Sequence, residues 1–182
     1  MTLGYRIYKP LACCVLLLCL TLALHTRAAL AQDELPSYIL PEHRAVLQEW
    51  LKAKPNLRVA TEADADANEL KLVREGYTGK SFEAFYAVAD FNHDKQPDFA
   101  VGLIDKEKPD ALVLAVFNGP FKKGKAASAP AYYNDTKFDR SDFLIRVGDN
   151  WDELQIGQGS DSRTVLLKPK GRGYYLWAGA TQ

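Results

Sequence analysis

Residues 82–117 read FEAFYAVADFNHDKQPDFAVGLIDKEKPDALVLAVF. Three apolar runs of strand length stand out, Phe82–Ala89, Phe99–Ile104 and Ala111–Phe117, each bounded by Asp, Asn, Gly or Pro. Downstream the pattern continues through Phe143–Val147, Leu154–Ile156, Thr164–Leu167 and Tyr174–Ala178. Lys168–Gly173, with Pro169, Gly171 and Gly173, reads as the turn joining the last two strands. Gly119–Tyr133 holds Pro120, Pro130 and the lysines 122, 123 and 125, and reads as a surface loop. Upstream the periodicity changes. Pro41 suits the first turn of a helix, where its missing N–H costs nothing. Val46, Leu47, Trp50 and Leu51 then form one apolar face until Lys54-Pro55, which predicts a helix over 41–53. Leu57–Ala60 fits a short strand. Thr61-x-x-Asp64 has the form of a helix start, although Ala63, Ala65 and Ala67 alternate as in a strand. Helices first and strands after predict an α+β domain, with one N-terminal helix or two packed on an antiparallel sheet. No repeat at a fixed period points to a solenoid or propeller.

The chain has 182 residues and a formal net charge of zero, from 23 basic and 23 acidic side chains. That zero averages unlike parts. Residues 1–31 hold Arg6, Lys9 and Arg27 and no acid, so they carry +3 and the remaining 151 residues carry −3. Leu11–Leu24 is an apolar run of 14 residues, interrupted only by Thr21. It falls short of the ~20 residues that span a bilayer as a helix. With the basic residues before it and Ala29-Leu30-Ala31 after it, the segment has the form of a signal peptide cleaved after Ala31. The expected location is therefore secreted or periplasmic, with no membrane span after cleavage. Cys13, Cys14 and Cys19 all lie in this leader, so the mature chain has no thiol for a disulfide, a zinc site or a nucleophile. A mature charge of −3 gives no footing for nucleic acid. The charge is uneven: residues 32–105 carry −6 and residues 106–182 carry +3.

The acidic half contains Asp90-Phe91-Asn92-His93-Asp94-Lys95-Gln96-Pro97-Asp98 between two of the apolar runs. Oxygen-bearing side chains recur at its odd positions. A tight loop with that spacing can turn successive oxygens inward, and Ca²⁺ takes six to eight oxygens at about 2.3–2.6 Å. The carboxylates of Asp90, Asp94 and Asp98 would repel one another without a cation between them. The segment is not an EF-hand, because Lys95 stands where that loop needs glycine and Val101 where it needs glutamate. Ala89–Asp94 and Pro97–Val101 instead resemble the FG-GAP/VCBS type of calcium loop, Asp-x-Asn-x-Asp-Gly-x-x-Asp followed by a strand. The resemblance covers about 15 residues of the 182. It implies Ca²⁺ as cofactor, ligated by Asp90, Asn92, Asp94 and Asp98, with Gln96 contributing its carbonyl. Lys95 departs from the family's glycine, whose use there is a positive φ that costs a side-chain-bearing residue roughly 1 kcal/mol. A structural ion with an affinity in the ~10⁻⁴–10⁻³ M range of extracellular modules is expected.

Other signals are weaker. Gly76–Ser81 lacks the first glycine of a phosphate loop, since position 74 is arginine. After cleavage only His43 and His93 remain as imidazoles. Ser160 is not in a Gly-x-Ser-x-Gly elbow, and Asp149, Asp152 and Glu153 fit a solvated turn better than an acid pair. Tyr175 and Trp177 are assigned to opposite faces of the last strand, one of them exposed to a protein or glycan partner. The expected function is a non-catalytic binding or structural module stabilised by calcium. The alternative is a small exported hydrolase acting on cell-envelope polymers.

Overall fold

The computed structural model describes residues 35–76, 82–121, 129–139, 144–147, 153–157 and 165–178. The expected signal peptide with its cysteines, the lysines at 122, 123 and 125, Ser160 and the acids Asp149 and Asp152 lie outside the described residues. Within them the chain is of mixed α+β type, with two antiparallel sheets rather than one.

Helix α1 spans Pro41–Leu51, opened by the proline as expected and ending two residues earlier than the sequence reading. It is followed by strand β1, Leu57–Val59. Thr61-x-x-Asp64 does form a turn-closing pair, the Thr61 N–H donating to Asp64 Oδ2 at 2.9 Å, but it closes a single 3₁₀ turn over Glu62–Asp64. Arg58 grips the same carboxylate with its two terminal guanidinium nitrogens at 2.7 Å and holds it down to a pKa of about 2. Helix α2, Ala67–Gly76, starts one residue after Asp66, whose Oδ1 accepts the N–H groups of Asn68 and Glu69.

The first sheet is built on β3 (Asp98–Asp105) and β4 (Lys108–Phe117), with β5 (Tyr132–Asp139) beyond β4. Two short strands share the other edge of β3. The strand β2, Tyr86–Ala89, pairs with Asp98–Val101, and β1 pairs with Leu103–Asp105. At their junction the Gly102 N–H donates to the Phe85 carbonyl and the Gly102 carbonyl accepts the Ala60 N–H. Phe82–Phe85, read as strand, is therefore mostly a turn that seats Phe85 against Gly102. Tyr132 and Tyr133, read as the end of a loop, begin β5. The second sheet is a meander of β6 (Leu144–Val147), β7 (Leu154–Gly157), β8 (Val165–Lys170) and β9 (Gly173–Ala178). Its last hairpin turns on Gly171 and Arg172, with Gly171 at φ +62°, the positive φ that a two-residue hairpin takes at its first loop position.

The continuous apolar runs of β3 and β4 arise because both faces of these strands are covered. Phe99, Val101 and Leu103, with Val113, Ala115 and Phe117, form one core with Leu47 of α1, Leu57 and Val59. Their alternates Ala100, Ile104, Leu112, Leu114 and Val116 form the other with Leu144, Ile145, Leu154, Ile156 and Leu167 of the second sheet and Leu70 and Val73 of α2. Period-2 alternation thus sorts residues between two cores, not between core and solvent. The two helices feed different cores. The Ile145 N–H donates to the Ala84 carbonyl at 2.8 Å, a main-chain bond between the second sheet and the turn before β2. Tyr175 and Trp177 share the exposed face of β9, since residues two apart in a strand point the same way, while Tyr174 and Leu176 pack inward.

Candidate functional site

The loop Asp90–Pro97 joins β2 to β3, entered and left through the paired residues Ala89 and Asp98. Its own side chains fold it. Asp90 Oδ1 accepts the Asp94 N–H at 2.9 Å and its Oδ2 accepts the Lys95 N–H at 2.8 Å. Asn92 Oδ1 also accepts the Asp94 N–H at 2.9 Å, and Asp94 Oδ1 accepts the Gln96 N–H at 2.8 Å. Asn92 Nδ2 donates to Asp94 Oδ2 at 3.1 Å. Short polar side chains bond the main chain two to five residues onward, so the loop closes without a regular element. His93 and Lys95 take positive φ, +62° and +68°, and both are exposed. Phe91 is buried and anchors the loop to the core shared with the second sheet.

The structure brings Asp90, Asn92 and Asp94 together around this backbone, with Gln96 following on the exposed side. Asp98 is placed differently. It is 0% exposed, on the side of β3 that carries Ala100 and Ile104. Its Oδ1 accepts the Gly119 N–H at 2.9 Å and its Oδ2 accepts the Asn92 N–H at 3.2 Å. The Tyr174 hydroxyl lies 3.2 Å from Asp98 Oδ2 and 2.7 Å from Asn118 Oδ1, so its one proton serves two acceptors. Burial pushes the Asp98 carboxyl up from its ordinary value, partly offset by these donors, and burial with the neighbouring carboxylate pushes the Tyr174 phenol up. Gly119 is required where it is, because a Cβ there would collide with the Pro97 carbonyl. Gly119, Asn118 and Tyr174 have no place in a motif of consecutive residues. The available signal was the alternation Asp98, Ala100, Gly102, Ile104, which puts Asp98 on an inward face.

Among the described residues, no group of three or more His, Cys, Asp or Glu side chains is gathered closely enough to hold a metal by those atoms alone. Any ligand set on this loop would have to draw on Asn92 and main-chain oxygen as well. The oxygens of Asp90, Asn92 and Asp94 suit a hard cation in type. An sp² oxygen that accepts one N–H keeps a second lone pair, so their main-chain bonds leave donor capacity.

His43 is a core residue. It is 1% exposed, stacks on Phe99 with centroids 4.4 Å apart, and places Nδ1 2.6 Å from the Tyr86 hydroxyl. Burial lowers its pKa to about 4. Glu153, just before β7, pairs with Lys168 of the neighbouring strand β8. Trp50 makes T-shaped contacts with Phe117 and Tyr133. No helix among the described residues is long and apolar enough to cross a membrane. Comparison of the chain with family models, with curated proteins and with solved structures finds no match.

Proposed function

We propose that this chain is an exported, non-catalytic binding or structural module, acting outside the cytoplasm on a protein or glycan partner. In this reading Ca²⁺ bound by Asp90, Asn92, Asp94 and the Gln96 carbonyl fixes the connection between β2 and β3. The observation that carries the calcium reading is the φ of +68° at Lys95. There the chain follows the path for which FG-GAP/VCBS loops use glycine, so the departure in sequence is not a departure in backbone. The Asp90 carboxylate supports that path from within by accepting the Asp94 and Lys95 N–H groups. The ion's contribution is charge neutralisation, relieving repulsion between Asp90 and Asp94. Support for a non-catalytic role comes from His43, which sits in an aromatic core with its pKa lowered to about 4 and its ring nitrogen on Tyr86.

Calcium titration of the mature protein tests the reading. With a dissociation constant of ~10⁻⁴–10⁻³ M, 10 mM Ca²⁺ should stabilise the fold by about 1.4–2.7 kcal/mol, seen as a raised Tm. Asp94→Ala should abolish that rise. An unchanged Tm of the wild type at 10 mM Ca²⁺ would overturn the proposal.

A further inference from the structure

The resemblance to the calcium loop makes Asp98 a ligand, but its surroundings give it another task. We infer that Asp98 is a strut rather than a ligand: with Tyr174 it holds the loop in its binding shape from beneath. The inference rests on the calcium reading for its effect on affinity, and on the geometry alone for the strut itself.

Three observations carry it. First, strand alternation puts Asp98 on the inward face of β3, 0% exposed, whereas Asp94 is exposed and Asp90 half-buried. Second, its two oxygens face donors from three separate segments: Asn92 within the loop, Gly119 after β4, and Tyr174 at the start of β9. Oδ2 faces both the Asn92 N–H and the Tyr174 hydroxyl at 3.2 Å, the hydroxyl proton being shared with Asn118 Oδ1 at 2.7 Å. Third, the contact from Gly119 is built in, because its backbone passes Pro97 too closely for any Cβ. Asp98 therefore ties the loop, the end of β4 and the second sheet at one buried point. Tyr174 is 76 residues away in sequence and bonds none of Asp90, Asn92 and Asp94, yet it orients the residue that receives the Asn92 N–H.

A loop held in shape in advance binds its ion more tightly, and loss of such an outer support usually weakens a metal site by about tenfold or more. The test is a mutant cycle on the mature protein, read by calorimetric Ca²⁺ titration and by thermal melts in EDTA. Tyr174→Phe removes one hydroxyl and keeps the ring; Asp98→Asn keeps the shape and removes the charge. Each should raise the Ca²⁺ dissociation constant about tenfold. The double variant should be no worse than the weaker single one, because both break the same support. Asp94→Ala should lose binding altogether. The result that overturns the inference is Asp98→Asn abolishing binding as Asp94→Ala does while Tyr174→Phe leaves affinity unchanged, since Asp98 would then be a ligand. Should the wild type take up no Ca²⁺, the calcium reading falls but the strut is still decided by the melts in EDTA. Non-additive losses of Tm in the cycle support it, and additive losses overturn it.

Discussion

Lys95 carries a full side chain at φ +68°, where the clash between Cβ and the backbone costs roughly 1–2 kcal/mol. The bonds that hold it there all come from its neighbours: Asp90 accepts its N–H, and Asp94 accepts the N–H of Gln96. Replacement by glycine removes the clash and adds freedom to the unfolded chain, and the first effect is the larger at a left-handed position. Lys95→Gly should therefore stabilise the calcium-free protein by about 1 kcal/mol, measured by urea unfolding in EDTA. A loss of stability would show that the lysine side chain contributes more than its backbone costs. The need for positive φ at this position was legible only through the resemblance to the FG-GAP/VCBS loop, which has glycine there. The inward turn of Asp98 left only the alternation with Ala100, Gly102 and Ile104 as its signal, because the motif numbers Asp98 as the last loop residue while the sheet numbers it as the first residue of a strand. Its burial comes from the second role.

Among the elements, the shared edge of β3 depends on one small residue. Gly102 bonds Phe85 on one side and Ala60 on the other, and an added Cβ would sit 3.0 Å from Phe85 Cδ1 and 3.1 Å from its Cβ. Phe85 is fully buried and has little room to retreat. Gly102→Ala should destabilise by about 1–3 kcal/mol, read from the urea midpoint. Combination with Phe85→Leu should recover part of that loss, and strict additivity would rule out the contact as its cause. The strands β3 and β4 were readable as apolar runs, and the last hairpin from its glycines. Strand β5 was not, since Tyr132–Asp139 reads YYNDTKFD and lacks an apolar run. Pairing with the apolar β4 makes it a strand. The second helix was half legible: Thr61-x-x-Asp64 suggested a helix start, but that pair closes a 3₁₀ turn and the helix begins only at Ala67, behind its cap Asp66.

The molecule as a whole joins α1 to its sheet through an aromatic layer that includes a titratable ring. His43 stacks on Phe99, meets Phe121 in a T-shaped contact and bonds Tyr86, and burial lowers its pKa from 6.5 to about 4, with Glu42 pulling the other way. In the unfolded chain the same ring takes up its proton near pH 6.5. The unfolded state therefore binds more protons between these values. Stability is fully present above pH 6.5 and falls as the pH drops toward 4, by roughly 3 kcal/mol from this group at the limit. His43→Leu should flatten the urea-midpoint profile between pH 6.5 and 4, whatever it costs at neutral pH. An unchanged slope would mean that the buried ring is not what acid attacks. By itself the sequence determined what depends on neighbours along the chain: the α+β order, α1, the hairpin at Gly171 and the turn-forming bonds of the Asp90–Gln96 loop. Those follow from the backbone preferences and hydrogen-bonding reach of residues a few positions apart. The tertiary structure alone decided that the strands divide into two sheets, that β3 and β4 are buried on both faces, and that Asp98 meets Tyr174 across 76 residues. Apolarity records that a residue is buried but not what covers it, and a pairing between distant segments leaves no local pattern from which it can be read.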